Sequence, residues 1–179
     1  MPARLRSLHL PRKDRVASRP QPRMLSVIQI SAADFDDPSL LEFLQAHLED
    51  LAPTAPAESR HALDVSELRQ GAVRMWVARD DAASVVGTVA LAPVTATHEE
   101  LKSMRTAPLH RGVGIASQLL AHALSDARRR GVGRVSLETG SMEFFAPARA
   151  LYRKSGFIEC PPFGGYSNDP NSLFMTRPL

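Results

Sequence analysis

A chain of 179 residues, 44% of them hydrophobic, has apolar material for one domain with a substantial core and too little length for two of ordinary size. The single cysteine, Cys160, excludes internal disulfides and any cysteine-rich metal site. No apolar run approaches the ~18 residues of a membrane span, so a soluble, cytoplasmic protein with no membrane partner is expected. Of the 22 basic residues, seven fall in the first 23 positions against Asp14 alone. The rest of the chain holds 15 bases against 18 acids, so the net charge of +3 is no argument for a nucleic-acid-binding domain, and no DNA partner is expected.

Residues 1–23 combine that charge with Pro2, Pro11, Pro20 and Pro22 and show no period, which predicts a disordered arm before a folded domain over 24–179. The arm is read as a solvated tail, as a start placed upstream of a true beginning at Met24, or as a contact for RNA, membrane or a protein. Val27 to Ile30 reads as a short strand. Asp37-Pro38 then supplies the N-cap and first turn of a helix whose Leu40, Leu41, Phe43, Leu44, Leu48 and Leu51 recur at helical spacing up to Pro53. A loop rich in Pro, Ala and Ser follows, and Asp64 or Ser66 caps a short helix through Leu68.

Val73 to Arg79 and Val85 to Leu91 flank the turn signal Asp80-Asp81 and form a hairpin, with Gly87 marking a bulge or the close approach of another backbone. His98 to Thr106 is the next strand, and it runs into a glycine-bearing turn. The helix after that turn buries Ala116, Leu119, Leu120, Ala123, Leu124 and Ala127. It closes on Arg128, Arg129 and Arg130 before Gly131, cations that the helix dipole explains without a nucleic-acid patch. Val135 to Thr139 is a buried strand, Pro147 to Lys154 a helix ending at Gly156, and strands begin again at Phe157 to Glu159 and Leu173 to Thr176. No internal repeat or low-complexity segment interrupts this order.

The turn between strand and helix carries the chemistry. Gly112 and Gly114 remove Cβ atoms where the helix begins, so backbone N–H groups approach a ligand closely with the helix dipole behind them, an anion site suited to a pyrophosphate. A P-loop would need Gly-Lys-Ser/Thr, and Gly114 is followed by Ile115 and Ala116, so that reading is excluded. A dinucleotide fingerprint would need a third glycine where Ser117 stands, although Glu138 lies roughly where its acidic residue belongs.

The run Arg111-Gly112-Val113-Gly114-Ile115-Ala116 resembles the Arg/Gln-x-x-Gly-x-Gly/Ala signature of the GNAT superfamily of acyl-CoA-dependent N-acetyltransferases. The strand end Met104-Arg105-Thr106 before Pro108 and the downstream Ala148-x-x-Leu151-Tyr152-x-x-x-Gly156-Phe157 match in the same order. The chain is similar to small bacterial acetyltransferases of this superfamily, which narrows its type and leaves its substrate open.

The resemblance implies a mixed α/β fold with a central, mostly antiparallel sheet whose parallel strands, ending at Thr106 and Thr139, splay apart and are flanked by helices. It implies acetyl-CoA as co-substrate, with pantetheine lying between the splayed strands against the backbone of Met104, Arg105 and Thr106. The pyrophosphate then falls on Arg111, Gly112, Val113, Gly114, Ile115 and Ala116, and no metal is needed. Where many members carry an Asn contacting CoA, this chain has Phe145, so Phe144 and Phe145 are expected to wall the pantetheine or pack the core.

The activity implied is transfer of an acetyl group to a primary amine, by direct attack, on an acceptor expected to be a small molecule. An alkyl ammonium titrates near 10.4, so a base, often acting through water, must take its proton. Glu100 stands on the strand where several members carry a catalytic glutamate, and it should share a face with Lys102 and Met104 unless a bulge changes the alternation downstream. It is equally readable as an exposed edge carboxylate. Glu138, at the end of an apolar strand, is the competing base. Tyr152 matches a tyrosine placed to protonate the departing thiolate, and also reads as core.

His61 and Asp64 fall in the region that covers the acceptor in this superfamily, and Cys160 to Tyr166 reads as an aromatic edge of the acceptor pocket or as a hairpin connection. A non-catalytic acyl-CoA-binding regulatory module is the alternative function. The acceptor remains open between amino acids, polyamines, aminoglycosides, small hydrophobic amines and protein N-termini. Oligomeric state is equally open, a homodimer included.

Overall fold

The computed structural model describes residues 28–51, 53 and 64–179, so the expected N-terminal arm, Met24 and His61 lie outside the described residues. Strand β1 (Gln29–Ala32) begins directly after Ile28, the first described residue of the apolar run. Helix α1 (Pro38–Leu51) follows, started by Asp37, whose Oδ1 accepts the Ser39 N–H at 2.8 Å. Helix α2 (Val65–Leu68) is one turn held by a capping box. Asp64 Oδ1 accepts the Glu67 N–H at 2.9 Å, and Glu67 Oε2 accepts the Asp64 N–H at 2.8 Å. Asp64 is therefore the cap, and Ser66 leans on it through its hydroxyl.

The remaining elements are β2 (Arg74–Arg79), β3 (Val85–Thr95), β4 (His98–Thr106), α3 (Ile115–Arg129), β5 (Arg134–Gly140), α4 (Ala146–Lys154), β6 (Ile158–Glu159) and β7 (Ser172–Pro178). The strands form one sheet in the order β1-β2-β3-β4-β5-β7-β6, antiparallel throughout except for the pair β4 and β5. Side-chain alternation sends Trp76 and Ala78 to one face and Met75 and Val77 to the other, and each face is covered. The first core joins α3 and Tyr152 of α4 to Val89, Leu91, Leu101 and Leu137. The second joins Leu40 and Leu44 of α1 and Leu68 of α2 to Met75, Val77 and Ala90. No helix among the described residues is long and apolar enough to cross a membrane.

Two irregularities shape the region where the sheet meets the glycine turn. Thr88 faces Arg105 while Ala90 faces Lys102, so Ser103 and Met104 together oppose Val89 in a β-bulge. Ser103 takes φ of 50°, and its carbonyl accepts the Thr88 hydroxyl at 2.8 Å. The parity of β4 changes there. Glu100 and Lys102 look to the α1 side of the sheet, whereas Met104 packs against the core under α3.

The second irregularity is a fork. Parallel pairing of β4 with β5 covers His98 to Arg134, Glu99 to Val135 and Glu100 to Ser136, and among the described residues the ladder ends there. β5 stays paired on its other edge with β7 as far as Gly140. The facing edges of β4 and β5 therefore part toward Thr106 and Gly140.

A charge network closes the opposite end of this fork. Arg130, just past α3, grips both oxygens of Glu99 on β4 at 2.5 and 2.6 Å and donates through Nε to Asp126 at 2.7 Å, which also accepts two bonds from Arg74. Burial opposes the Asp126 charge, but Arg130 and Arg74 more than offset it and hold the carboxyl below its usual range. The bond to Glu99 holds the Arg130 guanidinium firmly protonated. Arg130 thus does more than complement the helix dipole.

Gly87 meets both expectations attached to it. The neighbouring register shift leaves Val86 bulged against β2, and a Cβ at Gly87 would stand 3.0 Å from the Arg105 carbonyl oxygen.

Candidate active site

The fork opens into a cavity of about 520 Å3. One wall is the end of β4, with Met104, Arg105 and Thr106. The turn contributes His110, Arg111, Gly112 and Gly114, and the first turn of α3 contributes Ile115, Ala116 and Ser117. Across the opening stand Phe144 and Phe145 with Pro147, Ala148, Leu151 and Tyr152, while α1 brings His47, Asp50 and Leu51.

The turn owes its shape to glycine. Gly112 and Gly114 take φ of 77° and 91°, the left-handed region where an L side chain is strained. Gly114 is the N-cap of α3 and offers no side chain to its first-turn amides, so those N–H groups stay available to a ligand placed at the helix start. Of the residues expected at the donor site, Val113 alone is not a lining residue. It turns away and packs against the core under α3.

Phe145, standing where an Asn was the family expectation, places its ring 2.2 Å from where a Cβ on Gly140 would lie. The ring thereby packs against the end of β5. Its edge contact with the more exposed Phe144, at 4.9 Å between centroids, completes an aromatic wall.

Arg105 ties α1 to the cavity. Its Nη1 donates to the Phe43 carbonyl at 2.8 Å and its Nη2 to Asp50 at 2.9 Å, and the guanidinium lies over the Phe43 ring at 4.8 Å. Its Nε is buried and, among the described residues, has no hydrogen-bond partner. Burial pulls the Arg105 guanidinium below its usual value. Burial first, and the Arg105 charge second, lower His47 to about 4, so a neutral imidazole faces the cavity at pH 7.

Tyr152 is buried in the α3-side core and lines the cavity as well. Burial raises its phenol well above the usual value, and the Glu138 charge adds to this, so the hydroxyl keeps its proton. Both carboxylates expected as bases stand outside the donor cavity, on the α1 side of the sheet. Glu100 is at the last rung of the parallel ladder, opposite Ser136, and Glu138 is two residues beyond that rung on β5, opposite Phe174 of β7.

Glu100 sits in a closed ring. Tyr166 donates its hydroxyl to Glu100 Oε1 at 2.6 Å, and Lys102 Nζ lies 2.9 Å from the same oxygen and donates to the Tyr166 oxygen at 2.9 Å. Glu100 is only 7% exposed, so its reading as an exposed edge residue is corrected: the C-terminal loop covers it. Around the ring, Phe163, Tyr166 and Phe174 make edge and tilted contacts at 5.3 to 6.0 Å. His98 bonds Ser136 at 2.7 Å, and Ser136 donates to Thr176 at 2.8 Å. Burial keeps His98 below its ordinary value, and Arg134 acts in the same direction.

The sequence reading missed His47 as a lining residue. Its signal was available, since His47 and Leu51 continue the stripe of Leu40 and Leu44 at helical spacing.

Comparison with known proteins follows the same lines. A profile of the Acetyltransferase (GNAT) family matches residues 38–157. YsnE of Bacillus subtilis (strain 168), named an uncharacterized N-acetyltransferase, is 40% identical over 152 residues, covering 85% of this chain and 100% of that protein. A protein of Azospirillum brasilense named IAA acetyltransferase is 43% identical over 141 residues, covering 78% of this chain and 88% of its own. A solved structure from Klebsiella pneumoniae subsp. pneumoniae MGH 78578, assigned provisionally as an acyl-CoA N-acyltransferase, superposes with a TM-score of 0.72 at 30% identity, over 85% of this chain and 97% of that one. With the forked mixed sheet, the glycine turn and these relatives in agreement, the chain belongs to the GNAT family of acetyltransferases.

Proposed function

We propose that the protein transfers an acetyl group from acetyl-CoA to a primary amine of a small-molecule acceptor by direct attack, without a metal. The observation that carries this reading is the cavity in the fork. It joins two unladdered strand edges, an uncapped helix N-terminus and a protonated buried phenol in one space. Separated strand edges present N–H and C=O groups that a pantetheine chain, with its two amides, satisfies as a further strand would. Met104, Arg105 and Thr106 hold that chain, and the Thr106 N–H polarises the thioester carbonyl. Arg111, Gly112, Val113, Gly114, Ile115 and Ala116 receive the pyrophosphate through backbone amides and the Arg111 charge.

The acceptor comes from the α1 side, where Glu100 takes the proton that frees the amine lone pair, with Glu138 as the neighbouring carboxylate. Attack on the carbonyl carbon breaks the carbon–sulfur bond, and Tyr152 gives its proton to the departing sulfur. Relatives named N-acetyltransferases support an amine acceptor. A cytoplasmic location is the corresponding expectation for an enzyme drawing on acetyl-CoA.

The test is incubation of the purified protein with isotope-labelled acetyl-CoA and a desalted cell extract, following label into small molecules and polypeptides separately. Label in a small amine supports the reading. Label in polypeptides moves the acceptor class to proteins. Acetyl-CoA binding with no label transferred would sink the enzymatic reading in favour of a binding module. Arg111→Glu should abolish acetyl-CoA binding, whereas Glu100→Gln should preserve it and lose turnover.

A further inference from the structure

We propose that Asp50 receives the positive charge of the acceptor, so that the protein selects small cationic amines and turns away amines with a carboxylate beside the nitrogen. This rests on the acetyl transfer proposed above and concerns the acceptor of the same site. An alkyl amine arrives at neutral pH as an ammonium ion, since such groups titrate near 10.4. It must come within bonding reach of the thioester, proposed above to lie against Thr106, and Thr106 lines the cavity in the fork. The charge of the acceptor is therefore met inside that cavity. Among the described residues that line it, Asp50 is the one carboxylate.

Asp50 is both reachable and oriented. It stands in the last turn of α1 and its side chain is 45% exposed, so an amine comes to it from solvent. Arg105 Nη2 donates to Oδ2 at 2.9 Å and holds the carboxylate in place, while Oδ1 has no hydrogen-bond partner among the described residues. That oxygen is left to accept an N–H of the ammonium, and charge-assisted bonds of this kind are the strong ones. The negative end of the α1 dipole lies at the same corner, with no basic residue in the last turn, and favours a cation there as well.

The neighbours of Asp50 decide the selectivity. His47 lies three residues earlier on the same face of α1, and burial and Arg105 keep it neutral, so it offers a hydrogen bond and no repulsion. Arg105 is committed to the Phe43 carbonyl and to Asp50, and its side chain is only 8% exposed, which leaves it unsuited to an incoming carboxylate. Arg111, the other Arg or Lys among the described lining residues, belongs to the glycine turn proposed to receive the pyrophosphate. A carboxylate held beside the acceptor's nitrogen meets Asp50 with no cation of its own, and that repulsion costs affinity.

The test compares phenethylamine with phenylalanine, which share ring and amine and differ by the carboxylate, using labelled acetyl-CoA at pH 7.5. The small-molecule fraction of a cell extract is labelled in parallel, and its acetylated products are separated by charge. Wild type should use phenethylamine with a kcat/KM at least about tenfold above that for phenylalanine, and extract label should collect in neutral and cationic products. Asp50→Asn keeps the shape of the side chain and an oxygen for Arg105. It should raise the KM for phenethylamine, or for the extract amine labelled best, about 10- to 100-fold, the scale of a bond to a charged group. Both kcat and acetyl-CoA affinity should change less than about twofold. The KM of wild type should rise with salt and that of Asp50→Asn should not, which separates charge from packing. An unchanged KM in Asp50→Asn, a salt dependence that survives the substitution, or extract label in anionic products overturns the docking role while leaving acetyl transfer intact. If Asp50→Asn does not fold, the charge of the wild-type products decides alone. A wild-type protein that labels no amine from either source overturns both readings.

Discussion

His47 gives the most direct test of the cavity's electrostatics. In the unfolded chain its imidazole titrates near 6.5, and in the folded chain burial and Arg105 lower it to about 4. Between those values the unfolded state binds the proton more tightly, so stability is whole above pH 6.5, falls as pH drops toward 4, and levels off below it. A difference of this size corresponds to about 3 kcal/mol at full development, and to about 2 kcal/mol at pH 4.5 once partial solvent access to the ring is discounted. For a chain of this length each kcal/mol moves the melting midpoint by about 2–4 °C.

His47→Gln keeps a polar group of similar size with no proton to gain. Midpoints for wild type and variant, taken by circular dichroism at pH 7.5 and pH 4.5, should show wild type losing about 4–8 °C more on acidification. Titrating carboxylates elsewhere act on both proteins and cancel in the difference. Parallel losses in the two proteins would refute the buried, neutral imidazole, and with it the placement of α1 against the cavity.

Asp126→Asn removes the acceptor shared by Arg130 and Arg74. It should cost about 2–3 kcal/mol, seen as a lower urea midpoint at pH 7; an unchanged midpoint would show that Asp126 adds nothing to stability at that pH. With its pKa depressed by folding, the Asp126 contribution is present above the usual carboxylate range and lost as pH falls below it, so wild type and variant should converge in strong acid. Gly87→Ala places a Cβ 2.8 Å from Leu119 Cδ1 and 3.0 Å from the Arg105 carbonyl oxygen. Leu119 can yield and backbone cannot, so a loss of about 1–3 kcal/mol with weakened acetyl-CoA binding is expected. Wild-type stability and affinity in this variant would contradict the close approach.

The parts of the fold set by local signals were readable in advance. β4 runs from His98 to Thr106 as its pattern predicts, and α3 begins directly after Gly114, because a left-handed glycine and an apolar stripe act within a few residues of each other. Asp64 was one of two caps in view, and its geometry with Glu67 decided between them. What escaped notice depends on long-range placement. Tyr166 reaches Glu100 across 66 positions, and Arg130 reaches Glu99 across 31, with nothing in either neighbourhood to announce the partner. Arg105 was legible as a residue of the strand end that lines the cavity. Its grip on Phe43 and Asp50 was not, because it depends on how α1 lies over the sheet.

The bulge at Ser103 has a consequence for how this strand tolerates change. Alternation along a strand is a parity, and one inserted residue inverts it for everything downstream. Glu100 and Lys102 therefore share the face that carries Tyr166, while Met104 answers to the packing under α3, although only two positions separate Lys102 from Met104. Substitutions on one side of Ser103 leave the other side's facing intact. The face before the bulge is thereby free to change while the packing after it stays as it was, and a single strand serves as two separately inherited surfaces.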